Sequence, residues 1–137
     1  MNAVEKQILS EYEKGYNVEA LSYQIMGKLL DEKYVKERFK MFDVERLYIY
    51  GGTYMGVQLY RAGKTYADIL GIVDRSGKII SNDNIPVITL DEFRKDYTGG
   101  KVVITPLYYF QEIKEDLERF IDTKDILDIA ELLMGIA

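Results

Sequence analysis

The chain has 137 residues, 47% hydrophobic and 30% charged, with a net charge of −5. It has no cysteine and no histidine, which excludes disulfides, thiolate or histidine metal centres, a thiol nucleophile and a Ser-His-Asp triad. Size and composition are those of one globular domain, and an acidic balance argues against a nucleic-acid scaffold, whose faces are basic.

No stretch approaches the roughly 18 apolar residues of a membrane span. The start, Met1-Asn2-Ala3-Val4-Glu5-Lys6, lacks the basic-then-apolar layout of a secretory signal, so a cytoplasmic location is expected. Any catalysis would run on Asp, Glu, Lys, Tyr or a cofactor; no catalytic or metal-ligating residue is assigned.

The chain opens with helical sequence. Val4, Ile8 and Tyr12 recur every fourth position with Leu9 beside them, and Gly15 reads as a helix stop. Asn17 reads as the cap of a second helix, with Leu21, Ile25 and Leu29 in one stripe that Met26, Leu30 and Tyr34 widen. Helical pattern continues through Val35, Phe39 and Phe42 after a break near Asp31. These stripes either cover a sheet or face a second subunit or a partner protein. A helix–turn–helix DNA reader over Glu5 to Leu30 is the weaker reading, because acidic and basic residues nearly balance there.

The organising stretch is Arg46-Leu47-Tyr48-Ile49-Tyr50-Gly51-Gly52-Thr53-Tyr54-Met55-Gly56. Leu47 to Tyr50 read as a strand covered on both faces. Gly51 and Gly52 permit a sharp turn at the strand end. Gly56, lacking a Cβ, lets a helix running to about Ala62 lie close to that strand. Such a helix start presents unpaired N–H groups and the positive end of its dipole, the geometry of a phosphate site. Gly63 reads as the C-cap.

A second buried strand, Ile69 to Val73, ends in Asp74-Arg75-Ser76-Gly77. Asp74 follows Gly51 by 23 positions, close to where dinucleotide folds place an acid on a ribose hydroxyl. It can equally just open the Asp-Arg-Ser-Gly turn. Lys78-Ile79-Ile80 fits a short extended piece and leaves no room for a helix before the third strand, Pro86 to Thr89. A short helix over Leu90–Tyr97, a fourth strand Lys101–Thr105 ended by Pro106, a helix from Tyr108 to Phe120, and a fifth strand Asp125–Ile129 with an apolar tail complete the chain. Strands alternating with helices imply an α/β fold: an open parallel sheet of about five strands with helices on both faces. Residues 1–45 form an N-terminal helical arm to it, and 46–137 the domain proper.

As a set, Tyr50-Gly51-Gly52-Thr53-Tyr54-Met55-Gly56, Gly71-Ile72-Val73-Asp74 and Ile85-Pro86-Val87-Ile88-Thr89-Leu90-Asp91-Glu92-Phe93 resemble the Rossmann-like domain at the N-terminus of bacterial sugar O-acyltransferases and of nucleotide-sugar and polysaccharide biosynthesis proteins. The resemblance implies a Rossmann-like nucleotide-binding domain over 46–137, with the ligand above the first, second and fourth strands. The expected site is Gly51, Gly52, Thr53, Tyr54, Met55, Gly56, Asp74, Arg75, Thr105 and Tyr108, with Tyr54, Tyr108 and Tyr109 at the mouth as stacking candidates. NAD(P) or a nucleotide-sugar is the implied ligand. Thr53 departs from the pattern, because a middle glycine normally admits a pyrophosphate there; its hydroxyl suits a single phosphate. The left-handed acetyltransferase repeat domain of those enzymes is absent from the sequence.

Tyr60…Lys64 and Tyr97…Lys101 match the Tyr-x-x-x-Lys spacing of dehydrogenases and epimerases. Both are interrupted by glycine at a helix end. The charged residues of Glu112 to Arg119 read as a solvated helix face. The expected function is a non-catalytic nucleotide or nucleotide-sugar binding module. An NAD(P)-dependent epimerase- or dehydrogenase-like protein, or an oligomerisation scaffold with a vestigial glycine turn, are the alternatives.

Overall fold

The computed structural model describes residues 2–77 and 84–135, with the stretch 7–17 described by its backbone. The expected pieces at Lys78-Ile79-Ile80, and the side chains of Ile8, Leu9 and Tyr12, lie outside the described residues.

Five parallel strands, β1 (Arg46–Tyr50), β2 (Asp68–Val73), β3 (Val87–Ile88), β4 (Lys101–Ile104) and β5 (Ile126–Asp128), form one sheet in the order β3-β2-β1-β4-β5. This is a Rossmann-like open sheet with helices on both faces. Side chains alternate along a strand, so β1 sends Leu47 and Ile49 to one face and Tyr48 and Tyr50 to the other, all buried. On the first face lie α1 (Ala3–Leu29), α2 (Glu32–Met41), α3 (Tyr54–Gly63) and α6 (Ile129–Met134). On the second lie α4 (Leu90–Asp96) and α5 (Phe110–Leu117), where Phe93 packs edge-on to Tyr48 at 4.7 Å between ring centres.

Helix α1 runs unbroken through Gly15 and Asn17, which corrects the expected stop and second cap. A single helical glycine costs only about 1 kcal/mol relative to alanine, less than a long helix gains from packing its far half. That half covers the sheet: Ile25 and Leu29 join Val35 and Phe39 in one core with β1, α3 and α6. Leu30 does not widen the stripe and is exposed. The break at Asp31 is a cap, its carboxylate accepting from the Tyr34 amide.

Gly63 is the last residue of α3, and its role is packing. A Cβ there would lie 2.8 Å from the Phe39 ring. The apolar tail after β5 is α6, capped by Asp128 and ended by Gly135 in the left-handed conformation. From α2, Arg38 donates to the carbonyls of Glu131 and Leu132, and the Tyr34 hydroxyl to that of Leu133. Two α2 side chains thus donate to carbonyls of the last turn of α6, that of Glu131 also accepting from the Gly135 amide.

Candidate functional site

The chain leaves β1 toward the first face, through α3, and leaves the neighbouring β4 toward the second, through α5. Two adjacent strands whose exits diverge leave a crevice at their C-terminal ends. A cleft of about 360 Å³ lies there, with Gly51, Gly52 and Thr53 on one side, Asp74 and Arg75 at the end of β2, and Pro106, Tyr109, Glu112 and Asp116 opposite.

The glycine wall is built by the backbone. Gly51 has φ 113°, and a Cβ on it would sit 2.4 Å from Thr105 Oγ1. A Cβ on Gly56 would lie 1.9 Å from the Gly51 carbonyl oxygen, so the start of α3 rests directly on the turn. The Gly51 amide donates to the Val73 carbonyl. The amides of Gly52, Thr53, Tyr54 and Met55 find no acceptor among the described residues, and the Thr53 side chain does not cap the helix. Four N–H groups thus collect at the N-terminus of a ten-residue helix beside an open cleft.

The expected site residues separate into three groups. Gly51, Gly52, Thr53, Asp74 and Arg75 line the cleft. Met55, Gly56 and Thr105 support it from behind. Met55 is buried in the core of the first face, and Thr105, also buried, donates through both its amide and its hydroxyl to the Tyr50 carbonyl. Those bonds clamp the ends of β1 and β4 together as the cleft floor, so the Thr105 hydroxyl does not face a ligand. Tyr54 and Tyr108 do not line the cleft. The first residue of a helix projects outward, leaving Tyr54 76% exposed, and Tyr108 stacks edge-on against Tyr109 at 5.1 Å.

Asp74 fills the turn-opening role and also stands where a ligand could reach it. Its Oδ2 accepts from the amide and hydroxyl of Ser76, pinning the turn, while the residue borders the cleft. Arg75 is exposed and makes no ion pair with a described residue.

On the α5 wall Tyr109 stands at the mouth as expected, whereas Glu112 and Asp116, read from sequence as a solvated helix face, also line the cleft. Tyr109, Glu112 and Asp116 are three and four positions apart, the spacing of one helix face, and Ile113 is buried beneath them. Asp116 also meets Arg119 Nη1 at 3.9 Å, a weak pair for groups this exposed. Among the described residues the cleft therefore carries three carboxylates and one guanidinium. Farther along the same sheet edge, burial pushes the Asp128 carboxyl above its ordinary range, partly opposed by its hydrogen bond from the Ala130 amide.

The two Tyr-x-x-x-Lys pairs lie apart from this site. Tyr97 donates to the Gly100 carbonyl, and Lys101, at the opposite end of β4, pairs with Asp125 at 3.3 Å. The Lys64 ammonium sits over the Tyr60 ring. Among the described residues no group of acids is placed to hold a metal ion, and no helix is long and apolar enough to cross a membrane. No protein-family model, curated protein or solved structure matches this chain.

Proposed function

We propose that the protein is a nucleotide-binding module without catalytic groups of its own, taking a nucleotide or nucleotide-sugar, and that it serves bacterial glycan or polysaccharide biosynthesis, as the resemblance of its motifs implies. The observation that carries this reading is the cleft between diverging β1 and β4, with the partnerless amides of Gly52 and Thr53 along one side and those of Tyr54 and Met55 in the first turn of α3 behind them. A phosphate accepts those N–H groups and meets the positive end of α3. Asp74 then lies near the ribose, and Arg75 adds the one cation at the rim among the described residues.

A volume of about 360 Å³ is at the small end of ligand pockets, roughly 300–1,000 Å³. Together with Thr53 in the crowded position, this favours one nucleotide over a dinucleotide and weighs against the NAD(P) alternative. Calorimetric titration with UMP, GMP, AMP, UDP and NADH tests the reading. Binding of at least one mononucleotide is expected, weakened about tenfold by Arg75→Ala; no binding by any of them refutes it.

A second reading is favoured by α1. Ala20, Tyr23, Gly27 and Leu30, spaced by three and four, are all exposed, and a Cβ on Gly27 would meet nothing within 4 Å. That stripe suits a homo-oligomer through the N-terminal helices. Light scattering tests it: a dimer in the native protein that Tyr23→Glu converts to monomer supports it, and a native monomer refutes it.

A further inference from the structure

We propose that the α5 wall is a subsite for a neutral, hydroxyl-rich group carried by the nucleotide, a sugar in chemical terms, and that it turns away a second anionic group. This rests on the nucleotide reading above and adds what the far end of the ligand must be.

Opposite the amides, the cleft presents Glu112 and Asp116, with Asp74 at the β2 end. An ionised carboxylate only accepts hydrogen bonds. Its counterpart is a hydroxyl, an N–H or a cation. A phosphate or carboxylate brought to this wall finds no donor on Glu112 or Asp116 and meets like charge at close range in a partly desolvated groove. A resident metal ion would reverse that logic; among the described residues no group of three or more acids is placed to hold one. Hydroxyls fit what is left.

Tyr109 stands beside the two acids, 58% exposed. A flat ring with a polar tip next to carboxylates can cover the C–H face of a sugar while the acids take its hydroxyls. Ile113 closes the floor between them. The two walls thus divide the ligand, with the phosphate at the backbone amides and the uncharged group at the side chains of α5.

Sugar nucleotides that differ by one carboxylate test this directly: UDP-glucose against UDP-glucuronate, and GDP-mannose against GDP-mannuronate, with UMP and GMP as references. The neutral sugar of at least one pair is expected to bind about tenfold or more tightly than its acid counterpart, the size of one unfavourable charge contact. The double variant Glu112→Gln/Asp116→Asn, altered at residues that hold no core position, is expected to bring that pair close to parity. Equal affinities in the native protein, a preference that persists in the double variant, or binding of UMP or GMP without any sugar nucleotide would each overturn the subsite and leave nucleotide binding standing. Silence from all six probes would overturn both.

Discussion

The two walls of the cleft are made in opposite ways. The β1–α3 side is backbone, with Gly51 at positive φ and Gly56 against the Gly51 carbonyl, and the groups offered to a ligand are amides. The α5 side is side chain, where Tyr109, Glu112 and Asp116 project from an ordinary helix face. A backbone wall has little tolerance, because a Cβ on Gly56 overlaps a fixed carbonyl oxygen and one on Gly51 meets the clamped Thr105 hydroxyl. A side-chain wall can be rewritten at little structural cost. The first sets whether the domain folds with a cleft, and the second sets what the cleft prefers.

The sharpest way to break this contrast is Gly56→Ala. A Cβ 1.9 Å from a backbone carbonyl oxygen forces α3 off the turn, and a loss on the order of 4 kcal/mol is expected in urea unfolding. Gly51→Ala comes next, at about 2–3 kcal/mol, from positive φ together with a clash at the Thr105 hydroxyl. Thr105→Val should cost about 1–2 kcal/mol by leaving the Tyr50 carbonyl with one donor fewer and weakening the clamp between β1 and β4 to its amide bond, whereas Thr105→Ser should keep most of the stability. Glu112→Gln on the opposite wall should change stability by no more than about 0.5 kcal/mol. A larger loss there would dissolve the distinction between the walls.

The smallest effect concerns Asp128, whose carboxyl is held above its ordinary range by burial. A raised folded value means the native state binds the proton more readily than the unfolded chain. The associated stability is present below the unfolded value and fades as pH climbs through the folded one. Asp128→Asn keeps an acceptor at the cap and removes that fading. Stability at pH 7 relative to pH 4 should rise slightly in the variant, by about 0.5 kcal/mol or less for a group this accessible.

The same contrast explains what the sequence disclosed. Gly51 and Gly56 announce the turn because a Cβ does not fit at either, and unbroken apolar runs such as Leu47–Tyr50 announce buried parallel strands. Glu112 and Asp116 carry no such mark. An acidic residue on a helix has the same local pattern whether it faces water or a cleft, and only the divergence of β1 and β4 decides which. The aromatic at the mouth shows this limit too. Tyr108 and Tyr109 are equivalent in sequence, and the tight turn at Leu107–Tyr109 selects the second. Gly15 misled for the converse reason, since a glycine that ends a short helix can be absorbed inside one anchored elsewhere.

The clasp between α2 and α6 bears on how the chain is made. Arg38 and Tyr34 find their carbonyl partners at Glu131, Leu132 and Leu133, close to a hundred positions later. During synthesis the early helices therefore wait, half their seat missing, until the α6 segment has left the ribosome. Sheet and helices then close together as one event, with loop closure across close to a hundred residues setting the pace.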